Sequence, residues 1–309
     1  MKAWLALAVL VGCGTDPGTQ WVDHFNPPPA EDGYTRFVSP TITDIQPGAN
    51  VEWCQWVADP SDVDRDVMDV KGYQSPTGHH AVLYATTATN FKVGESHECT
   101  VEDMLHIGFV GATGGEGTGG DAAKLPDGLN FRLPKGQALM INTHWLNALD
   151  NPVDGQAVID VKFTPASSDH TIADLFANNG DLFQIDAGKT AAYDVNCVVQ
   201  HDINLAMVTN HMHTYGASAY TELVHQDGTK TMLVSDEQWL AEEQFNPKYQ
   251  RFSVSTPMQA HAGDTFHTHC EWNNTTTTAK LFPDEMCAGV GFYFPGNGQI
   301  TCENGGWGM

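Results

Sequence analysis

Basic residues are scarce in this chain. Its 309 residues include 14 Lys and Arg against 38 Asp and Glu, which leaves a formal net charge of −24. A surface this acidic repels phosphate backbones, so we do not expect nucleic acid as a partner. The alternating Asp62, Asp64 and Asp66 lack the Gly and distal Glu of a calcium-binding EF-hand loop, and we expect them to form a solvated acidic loop.

Long helical patterns and long apolar runs are also missing. Short runs of β-branched and aromatic residues are separated by Gly, Pro, Asn and Asp, which predicts a mainly β fold. The Gly-rich stretch Gly111–Gly120 lacks the GK[ST] ending of a phosphate-binding loop, and we expect it to be a surface loop. No segment after the N-terminus is long and apolar enough to span a bilayer.

The N-terminus resembles a bacterial lipoprotein signal. Lys2 precedes the short apolar run Ala3–Val11, and Leu-Val-Gly leads to Cys13. We expect residues 1–12 to be removed, Cys13 to be acylated, and residues 13–30 to form a tether. The protein would then be lipid-anchored in the bacterial cell envelope, at the outer membrane because Gly14 rather than Asp follows the Cys, or else secreted. The alternative is an ordinary secretory signal with a chance Cys.

Six of the seven cysteines remain once Cys13 is set aside. An even number in an exported chain suggests three disulfides, for which fifteen pairings are possible. No CxxC motif occurs, which argues against a thiolate zinc site. The six are Cys54, Cys99, Cys197, Cys270, Cys287 and Cys302.

The chain is long enough for two domains. The segment Pro165–Asp169 is a plausible boundary, so we predict one β-rich domain over residues 31–165 and a second over 166–309. We expect little order in the Gly-rich tail, Glu303–Met309.

Two histidines lie two residues apart in the segment NHMHTYG, as His211 and His213. The flanking residues are apolar and β-prone, and residues i and i+2 of a strand point to one face. Both imidazoles can therefore reach one metal ion. The competing interpretation is a pair of packed histidines.

Three further histidines lie in the first half. His79 and His80 are adjacent in GHHAVLY, so an ideal strand would point them to opposite faces. Binding one ion together would need a local twist or bulge, for which Gly78 could supply backbone freedom. His144 follows an apolar run in INTHWLN and is expected near the end of a buried strand.

Met286, in DEMCAGVGFYFP, matters for the type of metal. A thioether is a soft ligand that prefers Cu(I), and imidazole suits both oxidation states of copper. Two His and one Met would describe a copper site that holds Cu(I) ready for O2. The competing interpretation of Met286 is core packing.

These segments, in this order, resemble the copper type II, ascorbate-dependent monooxygenases. That family includes peptidylglycine α-hydroxylating monooxygenase and dopamine β-monooxygenase. The His-His pair, the lone His, the H-x-H pair and the Met of an E-M-C triplet occur with family-like separations. The segment HCEWNNTTTT, followed by DEMC, is especially similar to the dopamine β-monooxygenase branch.

The resemblance implies an all-β fold of two antiparallel, jelly-roll-like β-sandwich domains, packed side by side with a solvent-filled cleft between them. It implies two copper ions per chain, with the catalytic ion in the second domain. The first ion would be held by His79, His80 and His144, and the catalytic ion by His211, His213 and Met286. The implied disulfides are Cys54–Cys99, Cys197–Cys302 and Cys270–Cys287.

The resemblance also predicts the activity. The enzyme would hydroxylate a C–H bond of a small organic substrate with O2, while an external electron donor such as ascorbate reduces both copper ions. The peptidylglycine branch carries Arg at the position of Thr209, and Asn and Tyr at those of Ala288 and Val290. Peptide amidation is therefore not expected, and the dopamine branch together with the acidic surface favours an amine.

Three other functions are compatible with parts of this pattern. The main rival is a non-enzymatic copper-binding lipoprotein of the envelope, which would use the same ligands without C–H chemistry. A recognition module with incidental histidines would bind no copper stoichiometrically. A zinc hydrolase would suit a three-His site but not a site containing Met.

Overall fold

The computed structural model describes residues 25–59, 61–86, 91–100, 103, 107–114, 124–147, 149–244, 247–282 and 284–308. The predicted signal peptide, Cys13 and most of the predicted tether lie outside these residues. The described chain is almost entirely β, which confirms the predicted fold class. It contains no helix with the length and apolar character needed to cross a membrane.

Twelve strands in the first part of the described chain form two five-stranded sheets and a small pair. These strands are β1 (Tyr34–Val38), β2 (Ile42–Ile45), β3 (Asn50–Val57), β4 (Arg65–Gln74), β5 (Gly78–Thr86), β6 (Ser96–Glu98), β7 (Ile107–Gly114), β8 (Leu129–Leu133), β9 (Ala138–Leu146), β10 (Val153–Gly155), β11 (Ala157–Pro165) and β12 (Thr171–Ile172). Sheet N1 has the order β1-β11-β4-β8-β12, sheet N2 the order β6-β3-β9-β5-β7, and β2 pairs with β10.

Eleven strands in the second part form two more sheets. They are β13 (Asp174–Gly180), β14 (Thr190–Val198), β15 (Ile203–His211), β16 (Gly216–Val224), β17 (Lys230–Asp236), β18 (Gln250–Arg251), β19 (Met258–Ala260), β20 (Thr265–Asn273), β21 (Cys287–Phe294), β22 (Ile300–Glu303) and β23 (Gly306–Gly308). Sheet C1 has the order β18-β15-β21-β13-β22-β23, with β19 also on β15, and sheet C2 the order β14-β20-β16-β17. A short 3-10 helix spans Ala241–Gln244.

Each pair of sheets encloses an apolar core between its two facing sides. In the first pair, Leu83 and Ile141 of sheet N2 share a core with Ile159 of sheet N1. In the second, Leu205 of sheet C1 shares a core with Leu223 of sheet C2. The strands pair antiparallel, with the exceptions of β8–β12 and β13–β22, which are parallel.

The two halves of the chain pack directly against each other. Phe292 of β21 lies 5.2 Å from Phe109 of β7 and 5.0 Å from Phe131 of β8, between ring centroids. These rings belong to one buried cluster that draws residues from both halves. At this contact no cleft separates the halves, and the packing sets how sheet C1 sits beside the first two sheets.

Sheet membership changes just beyond the predicted boundary. Strand β12 still pairs with β8 of sheet N1, whereas β13 belongs to sheet C1. The crossing therefore lies at Ala173, which is fully buried. The division into two independent domains at residue 165 stays a prediction.

All three disulfides pair as the resemblance implies. Cys54–Cys99 joins β3 to the chain just after β6. Cys197–Cys302 and Cys270–Cys287 each join sheet C2 to sheet C1 across the second sandwich. The second sandwich is thus linked covalently at two places.

Three local expectations were wrong. The tail does not lack order, because β23 pairs with β22 and Trp307 lies opposite Cys302. Residues 111–114 of the Gly-rich stretch extend β7, and the rest lies outside the described residues. Asp66 is not part of a solvated loop, since it is a fully buried residue of β4.

The Asp66 carboxylate ties the connection between the halves to sheet N1. It accepts hydrogen bonds from Arg132 Nε (2.7 Å) and Nη2 (3.0 Å), from His170 Nδ1 (2.7 Å) and from the backbone N–H of Ser167 (3.1 Å). Burial raises the pKa of Asp66, but these hydrogen bonds outweigh it and hold the pKa below its usual range.

We predict that Phe292→Ala destabilises the protein by about 3–5 kcal/mol, because it opens a cavity in the cluster shared by both halves. Urea denaturation followed by tryptophan fluorescence measures the change. Leu182→Ala is the control, since Leu182 is 72% exposed, and it should shift stability by less than about 0.5 kcal/mol. A Phe292→Ala loss no larger than that of the control would contradict the proposed packing.

We further predict a pH-dependent difference between the wild type and Asp66→Asn. The folded-state pKa of Asp66 is lowered, so its stabilisation is present above the unfolded pKa and is lost as pH falls through the folded value. The variant should therefore be less stable near neutral pH, and the difference should shrink below about pH 4. A gap that stays constant down to about pH 2 would argue against this role of the carboxylate.

Candidate metal centre

The first histidine set lies on sheet N2, where β5 begins and the neighbouring β9 ends. His80 of β5 pairs with His144 of β9, and the register shifts between Gly78 and His80, so that His79 is the extra residue of a bulge. The ring centroid of His144 is 5.6 Å from that of His79 and 5.2 Å from that of His80. The predicted bulge is confirmed, and it brings the three imidazoles together.

Gly78 is needed for a different reason from the one we expected. A Cβ at this position would lie 2.5 Å from the Cβ of Gln74, 2.8 Å from Cζ3 of Trp145 and 2.9 Å from the backbone oxygen of Ser75. No side chain fits in that space. Close packing against the buried Trp145, rather than unusual backbone dihedrals, explains the glycine beside the bulge.

Two asparagines orient imidazoles of this set. Oδ1 of Asn142 accepts from Nε2 of His80 (3.2 Å), and Oδ1 of Asn50 accepts from Nε2 of His144. An amide oxygen only accepts, so each Nε2 carries the proton and the lone pair of each neutral ring lies on Nδ1.

Glu52 fixes the orientation of one of these amides. Its Oε1 accepts from Nδ2 of Asn142 (2.8 Å), which turns the amide oxygen toward His80. The sequence analysis missed these partners. Asn142 could have been found from its position two residues before His144, on the same face of β9.

The second histidine set lies where β15 ends. His211 is the last residue of β15, His213 follows it, and their ring centroids are 5.2 Å apart. Met212 between them is fully buried in the core of the second sandwich. The two imidazoles therefore share one side of the chain, as the H-x-H spacing predicts.

The ring and backbone of His213 are held on several sides. Its Nδ1 donates to the backbone oxygen of Asp284 (3.2 Å), which leaves Nε2 with the lone pair. Its backbone N–H donates to Glu285 Oε2 (2.9 Å), and its backbone oxygen accepts from Trp239 Nε1 (3.0 Å).

Met286 is half-buried, and residues close to it in the chain contact the second set. The residue before it, Glu285, bonds to His213, and two residues after it Ala288 pairs with His211. Cys287 immediately follows and is bonded to Cys270 of sheet C2. Residues on both sides of Met286 in the chain therefore contact or pair with the two histidines.

Glu285 is the main structural residue that the sequence analysis missed. It is fully buried and accepts from the backbone N–H groups of His213 (2.9 Å) and Tyr215 (2.6 Å) and from Trp272 Nε1 (3.0 Å). Burial raises the pKa of Glu285, while these hydrogen bonds favour the ionised form. The carboxylate joins the His213 segment to the Met286 segment.

Four of the five histidines in these sets have lowered pKa values, and these four rings are neutral at physiological pH. Burial lowers the pKa of His79 to about 4, of His144 to about 2 and of His211 to about 3. Burial also lowers the pKa of His80. Neutral imidazoles offer lone pairs to a metal ion, which a protonated ring cannot do.

The two sets also lie close enough to affect each other. Burial is the largest cause of the lowered pKa of His144, and the charges of His80 and His79 come next. The charge of His213, from the second set, also lowers this pKa. Burial is likewise the largest cause of the lowered pKa of His211, followed by the charge of His213. The charge of His80, from the first set, also lowers this pKa. The predicted copper ligands of the two halves therefore converge on one region of the molecule.

As the side chains stand, no three His, Cys, Asp or Glu residues within the described ranges are arranged to hold a metal ion. The chemistry of the donors nevertheless fits copper. One set offers three neutral imidazoles and the other offers two with a thioether nearby, and copper accepts both ligand types.

Comparison with known proteins gives a family match in the second half of the chain. Residues 181–306 match the family model for the C-terminal domain of copper type II ascorbate-dependent monooxygenases. The match includes His211, His213 and Met286, and it confirms the resemblance for this region. It does not extend to His79, His80 and His144. No curated protein matches the sequence.

Among solved structures, the chain is similar to the major capsid protein P2 from bacteriophage PM2. The identity is 10%, the TM-score 0.35, and the alignment covers 84% of this chain and 97% of that one. It is also similar to PBCV-1 VP54 fitted into a reconstruction of the virophage Sputnik, at 8% identity, a TM-score of 0.26, and 84% and 94% coverage. Likeness at this level carries no conclusion about function.

We predict that Glu285→Gln weakens Cu(I) binding at the second set about 10- to 100-fold, because the hydrogen bonds that position His213 are disturbed. Competition with a Cu(I) chelator measures this, in a His144→Ala background that disables the first set. The control is Asp284→Asn, whose side chain is 60% exposed and whose backbone carbonyl is kept. Equal affinity in both variants would remove Glu285 from this role.

Proposed function

We propose that this protein is a copper-dependent monooxygenase that hydroxylates a C–H bond of a small organic substrate with O2. The observation that carries the proposal is the position of His211, His213 and Met286 within the region that matches a copper- and ascorbate-dependent monooxygenase domain. The three clustered histidines of the first set, whose pKa values are lowered, lie beside the second set and support a second ion.

The stoichiometry of the reaction explains the use of two ions. Converting C–H to C–OH with one oxygen atom of O2, while the other leaves as water, consumes two electrons and two protons. When bound, copper would supply one-electron redox chemistry and the activation of O2. An external donor such as ascorbate would restore the electrons.

The two histidine sets would have different roles. His79, His80 and His144 would hold the first ion, whose contribution would be storage of one electron. His211, His213 and Met286 would hold the catalytic ion, where the soft thioether favours Cu(I). The asparagine and backbone acceptors keep the imidazole tautomers fixed.

Burial of the imidazoles also favours metal binding. It keeps them unprotonated, so that protons do not compete with the metal over the physiological pH range. The described carboxylate nearest to His213, Glu285, is occupied with hydrogen bonds to backbone and indole N–H groups. We assign no Asp or Glu as a general base.

The proposal includes the setting of the enzyme. Residues 31–165 and 166–309 would each form a copper monooxygenase-like domain. Acylation of Cys13 would anchor the protein in the bacterial envelope, so that the membrane contact is through lipid alone. Substrate, O2 and the electron donor would reach the site from outside the cytoplasm.

We expect Met286→Ile to abolish substrate-dependent O2 uptake and to weaken Cu(I) binding, since it removes the thioether while keeping an apolar side chain. The assay follows O2 consumption with ascorbate and a panel of small amines and other organic substrates. The control is Met232→Ile, because Met232 is 52% exposed on sheet C2.

The outcomes separate the candidate functions. Copper bound by the wild type without substrate-dependent O2 uptake, over a broad panel, would favour the copper-binding lipoprotein. Unchanged hydroxylation in Met286→Ile would show that the second set is assigned wrongly.

A further inference from the structure

A further pair of histidines, separate from the two histidine sets, lies on the outer face of sheet C2. His267 and His269 are two residues apart on β20, with side chains 15% and 20% exposed. Alternate residues of the same strand, among them Phe266 and Cys270, are buried in the core. The two imidazoles therefore lie together on the side of the sheet that faces away from the sandwich.

Carboxylates from both neighbouring strands surround these imidazoles. Asp194 of β14 is the cross-strand partner of His269, and Glu222 of β16 is that of His267. Oδ1 of Asp194 lies 2.8 Å from Nε2 of His267 and 2.8 Å from Nδ1 of His269. Glu271 of β20 lies 3.6 Å from the other nitrogen of His269.

The contacts of His267 show that this group requires a cation, because both of its ring nitrogens face carboxylate oxygens. Nδ1 of His267 is 2.8 Å from Oε1 of Glu222, and Nε2 is 2.8 Å from Oδ1 of Asp194. Carboxylates only accept, whereas a neutral imidazole has one donor and one lone pair. Either the ring carries an extra proton, or one nitrogen directs its lone pair at a bound metal ion.

The local charge balance points to the same need. Three carboxylates, those of Asp194, Glu222 and Glu271, face one ammonium group, that of Lys230, which pairs with Glu222 at 2.7 Å. Hydrogen bonds outweigh the effect of burial and lower the pKa of Asp194 and Glu222, so both are ionised near neutral pH. Two negative charges remain uncompensated, which matches two protons or one divalent ion.

Imidazole and carboxylate ligands together select the type of ion. Calcium and magnesium prefer oxygen ligands alone, whereas Zn²⁺ and Cu²⁺ accept imidazole nitrogen readily. We propose that His267, His269 and Asp194 form a binding site for a divalent transition-metal ion on the outer face of sheet C2. Glu222 and Glu271 orient the two rings from the sides that face away from Asp194.

Binding requires a small rearrangement. Asp194 Oδ1 now sits between the two ring nitrogens, so an ion would replace these hydrogen bonds and the carboxylate would turn to become its third ligand. Tyr220 stacks on His269 with centroids 5.1 Å apart and packs edge-on against His267 at 5.6 Å. This packing keeps both rings in place as Asp194 moves.

The test compares the metal content of the full chain with that of His267→Gln/His269→Gln. Metal-free protein is dialysed against Zn²⁺, and in a second series against Cu²⁺, near pH 7.5, and bound metal is measured by elemental analysis. We expect the double variant to bind one ion fewer per chain. Circular dichroism establishes that both proteins are folded.

Two further variants make the result specific. His261→Gln is the matched control, since His261 is an exposed histidine that also pairs with an aspartate, Asp202, and it should retain all the metal. Met286→Ile should still bind the ion in question, because the proposed site shares no residue with the two histidine sets. Failure of the monooxygenase proposal would therefore leave this test unaffected.

Equal metal content in the double variant and the wild type would overturn the proposal. So would a result in which the two histidines take up protons on acidification, followed by NMR of their ring hydrogens, but show no change when Zn²⁺ is added. The group would then be a pair of protonated histidines that balances the carboxylates.

Discussion

The buried carboxylate of Glu285 determines where the second histidine set lies. It receives three N–H donors, from the backbone of His213 and Tyr215 and from the indole of Trp272. These donors come from the turn after β15 and from β20, and the carboxylate itself comes from the segment before β21. A buried charge is tolerated only when it is this fully hydrogen-bonded.

Covalent and apolar contacts surround this junction. The Cys270–Cys287 disulfide links β20 to the start of β21. Trp239 donates to the backbone oxygen of His213 from the other side. On the far side of sheet C1, Phe292 packs on Phe109 and Phe131, which fixes sheet C1 against the first two sheets. The two histidine sets are adjacent because these contacts hold the halves together.

The chemistry of the centre follows from its burial. Imidazoles removed from water lose their affinity for protons, and the tautomers are fixed by oxygens that can only accept. The lone pairs that remain are available to a metal ion. The outer face of sheet C2 presents the contrasting case, since its two histidines are surrounded by carboxylates, which favour a positive charge on or between the rings.

The sequence by itself determined the elements of the centre. Short runs of β-branched and aromatic residues indicated strands, and the H-x-H spacing placed two imidazoles on one side. Binding of one ion by the adjacent His79 and His80 called for a local twist or bulge. The motifs that resemble the family led to the correct disulfides, because cysteines paired in a shared fold keep their positions along the chain.

Only the tertiary structure decided what surrounds those elements. Asn50 and Asn142 orient the histidines through pairing between strands far apart in the sequence, and Glu285 is buried because three donors from separate segments converge on it. The buried Asp66 and the hairpin of the tail were missed for the same reason. Polar and Gly-rich residues look solvated in a linear pattern, and only the fold shows which of them find partners away from water.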